Sequence, residues 1–474
     1  MEYFLINSFT KLRHKKIGGI IVRSGLIMIL LTVLLAVTLV AQQPGDTLEY
    51  KVEKRVDLAF AEMVASNVLV WSFNRYLRED NYSFYISWRS VETNLRHGFE
   101  WDPNNFKTNF FAHPYHGNIY FNSARTNGLN FWESIPFAFG GSMMWELFME
   151  SEFASYNDLI MTTFGGIYLG ESLFRFSEQV LDDRSRGWER FWREFAGTAL
   201  NPVGAFNRAI KGDMFRHSSR PGHMRFPING YVGLGGRGRV KGSDFGNAQF
   251  NPAIELTLHY GEPFREVEKR QPFDYSTFRL WRSEGQTDST KNMSITGRAL
   301  VIGKNVPGKN EQKHLPGLFA DYDYYDLDLF KLGSFSLNGV WMSAFPLGKG
   351  FTLVTGPSLG VIILGAGSNE YYSSYQGRNY NFGQGYKAKL DLLLKHQKFG
   401  ELFFDYGYFT LYSREGVPGV DHLNVLDATY TVRIWKNLGA GAEYTYYYRN
   451  ANYDNDPDIK RTIKGVRALV TLFF

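Results

Sequence analysis

The feature that most constrains this chain is a two-residue alternation of side-chain type, repeated in long segments through its second half. In 386–395, Tyr386, Ala388, Leu390, Leu392 and Leu394 alternate with Lys387, Lys389, Asp391 and Lys395. In 426–435, Leu426, Ala428, Tyr430, Val432 and Ile434 alternate with Asp427, Thr429, Thr431 and Arg433. Residues 440–448 and 254–260 repeat the pattern, as does 465–474, where Val466, Ala468, Val470, Leu472 and Phe474 share one face. Successive side chains of a strand point to opposite sides, so each segment has one apolar face and one polar face. From about residue 228 onward there are roughly twelve strand-like segments, separated by Gly, Pro, Asn and Asp clusters.

Soluble sandwiches alternate too, so length and aromatic placement decide. The segments run to about ten to fourteen residues, the reach of a tilted strand across a hydrocarbon layer. Their number is even. Aromatics gather near segment ends, as at Tyr371-Tyr372, Tyr446-Tyr447-Tyr448 and Phe473-Phe474. An aromatic content of 17% fits a chain that meets a membrane–water boundary, where one end of a Tyr ring is dry and the other wet. The expected fold is an α+β membrane protein: an antiparallel transmembrane β-barrel of about twelve strands over 226–474, preceded by a helical domain. Residues 273–282 and 350–364 alternate poorly. In 320–329 the phase slips: Asp321 and Asp323 share a face, then Asp326 and Asp328 do, which predicts a β-bulge at Tyr324-Tyr325.

On this register Glu255, Asp391, Glu401, Asp405, Asp427 and Glu443 face inward, with Lys387, Lys389, Arg433 and Arg467. Buried charges must be paired or hydrated, so the lumen reads as a wet pore or a polar seat for the helical domain.

Residues 1–41 read as a signal peptide: a basic head of Lys11, Arg13, Lys15, Lys16 and Arg23, an apolar run from Gly25 to Val40, and Ala41-Gln42-Gln43 as the cut site. This leader's five basic residues against Glu2 carry +4 of the chain's formal net charge of +5, leaving +1 for the remainder. Nothing in that balance calls for nucleic acid. The chain has no Cys, which excludes disulfides and a lipid-modified N-terminal Cys.

Residues 45–220 have a different period. Val52 to Tyr76, Ser134 to Met149 and Asn157 to Val180 are helix-length apolar stretches, the last opened by a good cap at Ser155-Tyr156-Asn157-Asp158. Gly140-Gly141, Gly165, Gly166 and Gly170 allow close helix approach. Glu146, Glu150, Glu171, Arg175 and Glu178 lie on these stretches, and charge at membrane depth is costly. The expectation is a helical domain that is either periplasmic or seated in the barrel as a plug. Asn201-Pro202 marks the junction that follows.

The densest polar cluster is His113-Pro114-Tyr115-His116-Gly117-Asn118, followed by Arg125, Glu146, Glu150 and Asp158. His113, His116, Glu146 and Asp158 are the candidate catalytic residues of an envelope enzyme acting on lipid or glycan. His113 and His116 are candidate metal ligands, with Pro114 keeping His113 out of a helix so that both imidazoles sit on a turn. Arg125, Glu150, Glu171 and Arg175 are candidate ligand-binding residues; the plainer reading of Glu171 and Arg175, four apart, is an ion pair. Glu146 and Glu150 repel at that spacing, so Arg125 or Arg175 is expected beside them. Glu146, Glu150 or Asp158 would be the oxygen donors of a metal held by His113 and His116, and the sequence leaves the cofactor unknown. No phosphate-binding glycine loop precedes a helix.

The run HPYHGNIYFNSARTNGLNFWESIPFAFGGSMMWELFME, with SYNDLIMTTFGGIYLGESLFR after it, resembles the bacterial family known as domain of unknown function 3943, over roughly residues 70–210. The resemblance implies a bacterium with an outer membrane and carries no assigned reaction. The segment ending on Phe474 is similar to the closing strand of outer-membrane barrels, which implies the barrel-assembly machinery as a partner. Outer-membrane lipid and a periplasmic protein complete the expected partners, and the cell outer membrane is the expected location. The leading function is a structural, envelope-maintenance or gated-transport role; the alternative is the envelope enzyme.

Overall fold

The computed structural model describes residues 53–78, 82–102, 104–218, 226–240, 250–284, 292–327, 330–371 and 379–474. The signal segment 1–41, Tyr372 and Asp328 lie outside the described residues.

Twelve strands form a closed antiparallel barrel: β1 Ile228–Val240, β2 Phe250–Tyr260, β3 Ser276–Ser283, β4 Asn292–Gly303, β5 Lys313–Asp326, β6 Lys331–Gly348, β7 Phe351–Ser368, β8 Tyr380–His396, β9 Gly400–Glu415, β10 Gly419–Trp435, β11 Leu438–Tyr453 and β12 Ile459–Phe473. Each pairs with its neighbours in sequence, β4 with β5 directly, and β12 with β1 closes the ring. The poorly alternating stretches are strands as well, β3 and β7.

Which face is the interior follows from ion pairs between strands that are not neighbours, because only the lumen brings such strands together. Arg279 on β3 bonds Glu443 on β11, and Arg298 on β4 donates to Asp391 on β8 at 2.6 Å. Lys387 on β8 reaches Asp321 (2.9 Å) and Asp323 (2.6 Å) on β5. The polar face is therefore inside, and Leu234, Trp341, Leu359, Leu402 and Val470 stand exposed on the outside. This is the inverse of a soluble sandwich.

Two expectations about the interior are corrected. The charges do not seat a helical domain; many of them pair with one another across the lumen. Arg279 and Arg467 hold Glu255 (2.9 and 3.0 Å) and Glu443, while Lys389 holds Asp405 (2.9 Å) and Asp391 (3.3 Å). A second layer is apolar: Trp281, Tyr325, Leu332, Phe409, Leu423 and Tyr447, drawn from six strands, meet across the lumen. Nor does β5 bulge at Tyr324-Tyr325. It keeps unbroken register with β6 from Lys313↔Ala344 to Asp326↔Lys331. Tyr325 joins the inner apolar layer, and Asp326 ends the strand 3.7 Å from Lys331 at the turn. The sheet's irregularities fall instead at places such as β4 between Leu300 and Ile302, and β7 between Ile362 and Leu364.

The helical region divides in two rather than forming one domain. Residues 53–172 belong with the barrel in one compact unit, and residues 173–218 belong to another. In the first unit, α1 (Val56–Leu77), α2 (Trp88–His97), α3 (His113–Arg125) and α4 (Phe131–Phe148) precede a short α5 (Tyr156–Ile160) and the start of α6 (Gly166–Val180). α4 opens with a capping box between Asn130 and Glu133. π-helical turns at Thr108–Ala112 and Met161–Gly165 lead into α3 and α6.

This bundle lies on the outer wall of the barrel, which corrects the expectation of a plug. Tyr168 stacks on Tyr322 and meets Phe335, Phe164 stacks on Phe335 (5.7 Å), and Phe106 and Phe111 pack on Tyr324. Tyr322 and Tyr324 alternate with the inward Asp321 and Asp323, so they point outward. Trp101 stacks on Phe382 of β8, and Asn109 Nδ2 donates to Tyr380 at 2.8 Å. Phe131 and Tyr168 also meet Phe273, which precedes β3 at the opposite end of the barrel from Tyr380. The bundle thus covers the wall from its Tyr380 end to the level where Phe273 N–H donates to the Leu300 carbonyl. Its lumen-filling role was open in the sequence because alternation marks two faces without marking what covers either.

The second unit contains the last turns of α6, α7 (Gly187–Leu200) and α8 (Pro202–Lys211). Val180, Ala196 and Leu200 form its core with Leu173 and Phe176, and Arg190 and Arg208 grip Asp183 and Glu194. Asn201-Pro202 does break the helix: Asn201 caps α8 through Gly204 N at 3.0 Å.

Candidate functional site

The first unit brings a polar cluster together where the two π-turns meet. α3 begins at His113, and its first turn tolerates Pro114 because that backbone nitrogen needs no helical acceptor there. His113 is helical (φ −64°, ψ −48°), against the expectation of a turn, since the preceding π-turn already sets its backbone. α3 then crosses α6 almost backbone to backbone. A Cβ on Gly117 would lie 1.7 Å from the Thr162 carbonyl oxygen, and one on Gly166 would lie 2.5 Å from the Gly117 Cα. Gly170 faces Phe121 and Gly141 faces Tyr120 in the same way, whereas Gly140 faces open space.

That crossing sets His113 between two partners. Its Nε2 lies 3.1 Å from Asp158 Oδ1, and its Nδ1 lies 3.3 Å from Thr162 Oγ1. Asp158 hydrogen-bonds the carboxyl of Asp102, and Asn157 Nδ2 donates to Asp158 and to Asn109 Oδ1, both at 2.8 Å. Asn104 Nδ2 donates to Asp102 Oδ2 at 2.8 Å. Burial, and then the charge of Asp158, pushes the Asp102 carboxyl from 3.8 to about 7. Ser155 ties in Glu146: its N–H donates to Glu146 Oε2 (2.8 Å), and its Oγ accepts from Asp158 N (3.2 Å).

The order Thr162, His113, Asp158 is that of a nucleophile, base and orienting acid. Thr162 is only 3% exposed, however, so its hydroxyl has no open approach for a substrate. What the arrangement does is clamp the two π-turns to each other, through Asn157 bonded to both Asn109 and Asp158.

The remaining candidates disperse. His116 turns away to Tyr120 (Nε2···OH 2.8 Å) and packs edge-on to Trp145 at 4.9 Å. His113 and His116 therefore serve different partners, and no group of three or more His, Asp or Glu side chains placed to hold a metal occurs among the described residues. Arg125 clasps Glu171 with two bonds, 2.7 and 3.2 Å. The reason is geometric, because Arg125 ends α3 facing α6. The Glu150 carbonyl accepts from the buried Asn94 at 3.2 Å. Arg175 belongs to the second unit. Sequence reasoning missed Asp102, Asn104, Asn109 and Thr162; Asn157 stood in the cap motif and was its one visible sign.

The barrel holds a separate cavity of about 820 Å³. Tyr231, His259, Arg279, Arg298, Lys389 and Asp405 are among its lining residues.

Fold and site define a closed twelve-stranded antiparallel barrel with a helical bundle docked on its outer wall. Within it, residues 98–203 match the family described as Domain of unknown function (DUF3943), the one implied by the His-Pro-Tyr-His-Gly run. No curated protein matches in sequence. Among solved structures the chain is similar to the outer membrane channel DcaP of Acinetobacter baumannii, at 9% identity over 52% of this chain and 96% of that one, TM-score 0.22. It is also similar to the NanC porin (8%, 52% and 100%, TM-score 0.24) and to the Pseudomonas putida toluene transporter TodX (10%, 52% and 89%, TM-score 0.21).

Proposed function

We propose that this is a protein of the cell outer membrane in which the barrel is a closed scaffold and the helical bundle is the working part, with a structural role in envelope maintenance. The location is supported by the inverted barrel, apolar outside and ionic inside. The closed scaffold is supported by one observation above others: side chains of the barrel itself cross its lumen in an ionic and an apolar layer, while the helices dock outside. Gating by a helical plug has no support in this arrangement.

Lipid contacts the outer wall in this reading. The barrel-assembly machinery reads the strand ending in Phe474, whose backbone pairs with Gly230. The envelope-enzyme reading draws on the Thr162–His113–Asp158 line alone, and the burial of Thr162 weighs against it.

Planar-bilayer recording on the intact protein tests the closed scaffold. The expected result is no steady conductance, with openings appearing when Trp281, Phe409 and Tyr447 are all replaced by Ala. Stable open-channel current through the unaltered protein would overturn it.

A further inference from the structure

We infer that the helical bundle is itself embedded in the bilayer, its outward face in contact with acyl chains beside the barrel. This rests on the outer-membrane reading and adds a lipid-facing surface that the barrel alone does not supply.

The first ground is the wall on which the bundle sits. Side chains on that wall point away from the lumen, into the layer that lipid fills around the rest of the barrel, and the contacts run from Tyr380 at one end to Phe273 beside Leu300. A domain docked along that height occupies hydrocarbon depth.

The second ground is what the bundle turns outward. α1 has 22 residues, a length of about 33 Å against a hydrocarbon layer of about 30 Å. Its exposed face between Phe60 and Phe73 carries Ala61, Ala65, Val68 and Leu69 and no charge; Asp57 and Arg75 stand at its two ends. Leu69 is 70% exposed. α4 presents Trp132, Pro136 and Phe139. A core helix of a soluble protein with the hydropathy of α1 would be covered, yet little of its apolar span is buried.

The third ground is where the charges go. Glu146 is 1% exposed and bonded by Ser155, Glu171 is fully buried and clasped by Arg125, and Glu62 accepts from Asn127 at 2.9 Å. Ionisable residues at membrane depth are tolerated where they face a bundle interior and pair. Glu146, Glu171 and Glu62 therefore turn their carboxylates into the bundle rather than toward lipid.

The chain has no native Cys, so single-cysteine spin labels report directly. Leu69→Cys and Phe139→Cys probe the bundle, and Leu359→Cys, on the barrel exterior, probes the scaffold; Ala65→Cys replaces Leu69→Cys if that variant does not fold. In the full chain reconstituted in lipid, collision with oxygen is expected to exceed collision with a water-soluble nickel chelate several-fold at all three sites. Chelate-dominated relaxation at 69 and 139, with oxygen-dominated relaxation at 359, would overturn the inference and leave the barrel's location standing. Chelate-dominated relaxation at 359 as well would sink both. Shielding of 69 from both reagents, with spin–spin broadening, would put a second copy of the chain where lipid is proposed, and overturn it too.

Discussion

Tyr168 stacks on Tyr322 with ring centroids 6.1 Å apart and planes inclined by 22°, while the residues flanking Tyr322, Asp321 and Asp323, reach into the lumen to Lys387. One strand thus serves two interiors. Its odd positions complete the ionic layer of the barrel, and its even positions form the floor for the helices.

That floor makes docking separable from barrel closure. Tyr168→Ala removes the contacts with Tyr322, Phe335 and Phe273, a loss of about 3 kcal/mol for a buried aromatic. Residues 53–172 should become protease-sensitive, while the barrel keeps its native shift on unheated gels. Loss of the shift would mean that the helices hold the barrel together.

The α3–α6 crossing admits no side chain at Gly117. Gly117→Ala places a methyl group against the backbone of Thr162 and should collapse the His113–Asp158 contact, with faster amide exchange throughout α3. Gly140→Ala, where a methyl meets open space, is expected to change exchange little.

In the lumen, Glu443 lies between Arg279 and Arg467. Glu443→Gln leaves two buried guanidinium groups short of a counter-charge, at a cost of roughly 3–5 kcal/mol. The temperature at which the barrel loses its compact gel form should drop clearly, and conductance should stay absent because the apolar layer is intact.

Asp102 gives a pH dependence with a definite sign. Its carboxyl is held near 7 when folded against 3.8 ordinarily, so between those values the folded state binds more protons than the unfolded one. The stability contributed by Asp102 then falls as pH rises from about 4 to about 7, whereas the neighbouring His113, held down to about 4 by burial, contributes in the opposite direction over the lower part of that window. The difference in amide exchange over residues 99–112 between the parent and Asp102→Asn isolates the Asp102 part, and the parent should accelerate more across the window. A difference of opposite sign would refute the assignment.

The barrel was legible because its period is unambiguous: Lys387, Lys389 and Asp391 against Ala388, Leu390 and Leu392 admit one register. The helices were legible as helices, but not their place. Tyr322 and Tyr324 look like any lipid-facing aromatics, and no feature of 320–329 says that another part of the chain covers them. The bulge read there followed from assuming that every Asp must share a face, when Asp326 merely ends a strand. His113 was visible and its partners were not, because Asp102 and Asn109 come from one segment and Thr162 from another, and the meeting of the two π-turns brings them together.

The docked wall, centred on β6, is diametrically opposed to the seam where β12 meets β1. The final row of backbone bonds that seals the cylinder can therefore zip shut with the helices already in place, and any lateral parting of that row leaves their footing undisturbed.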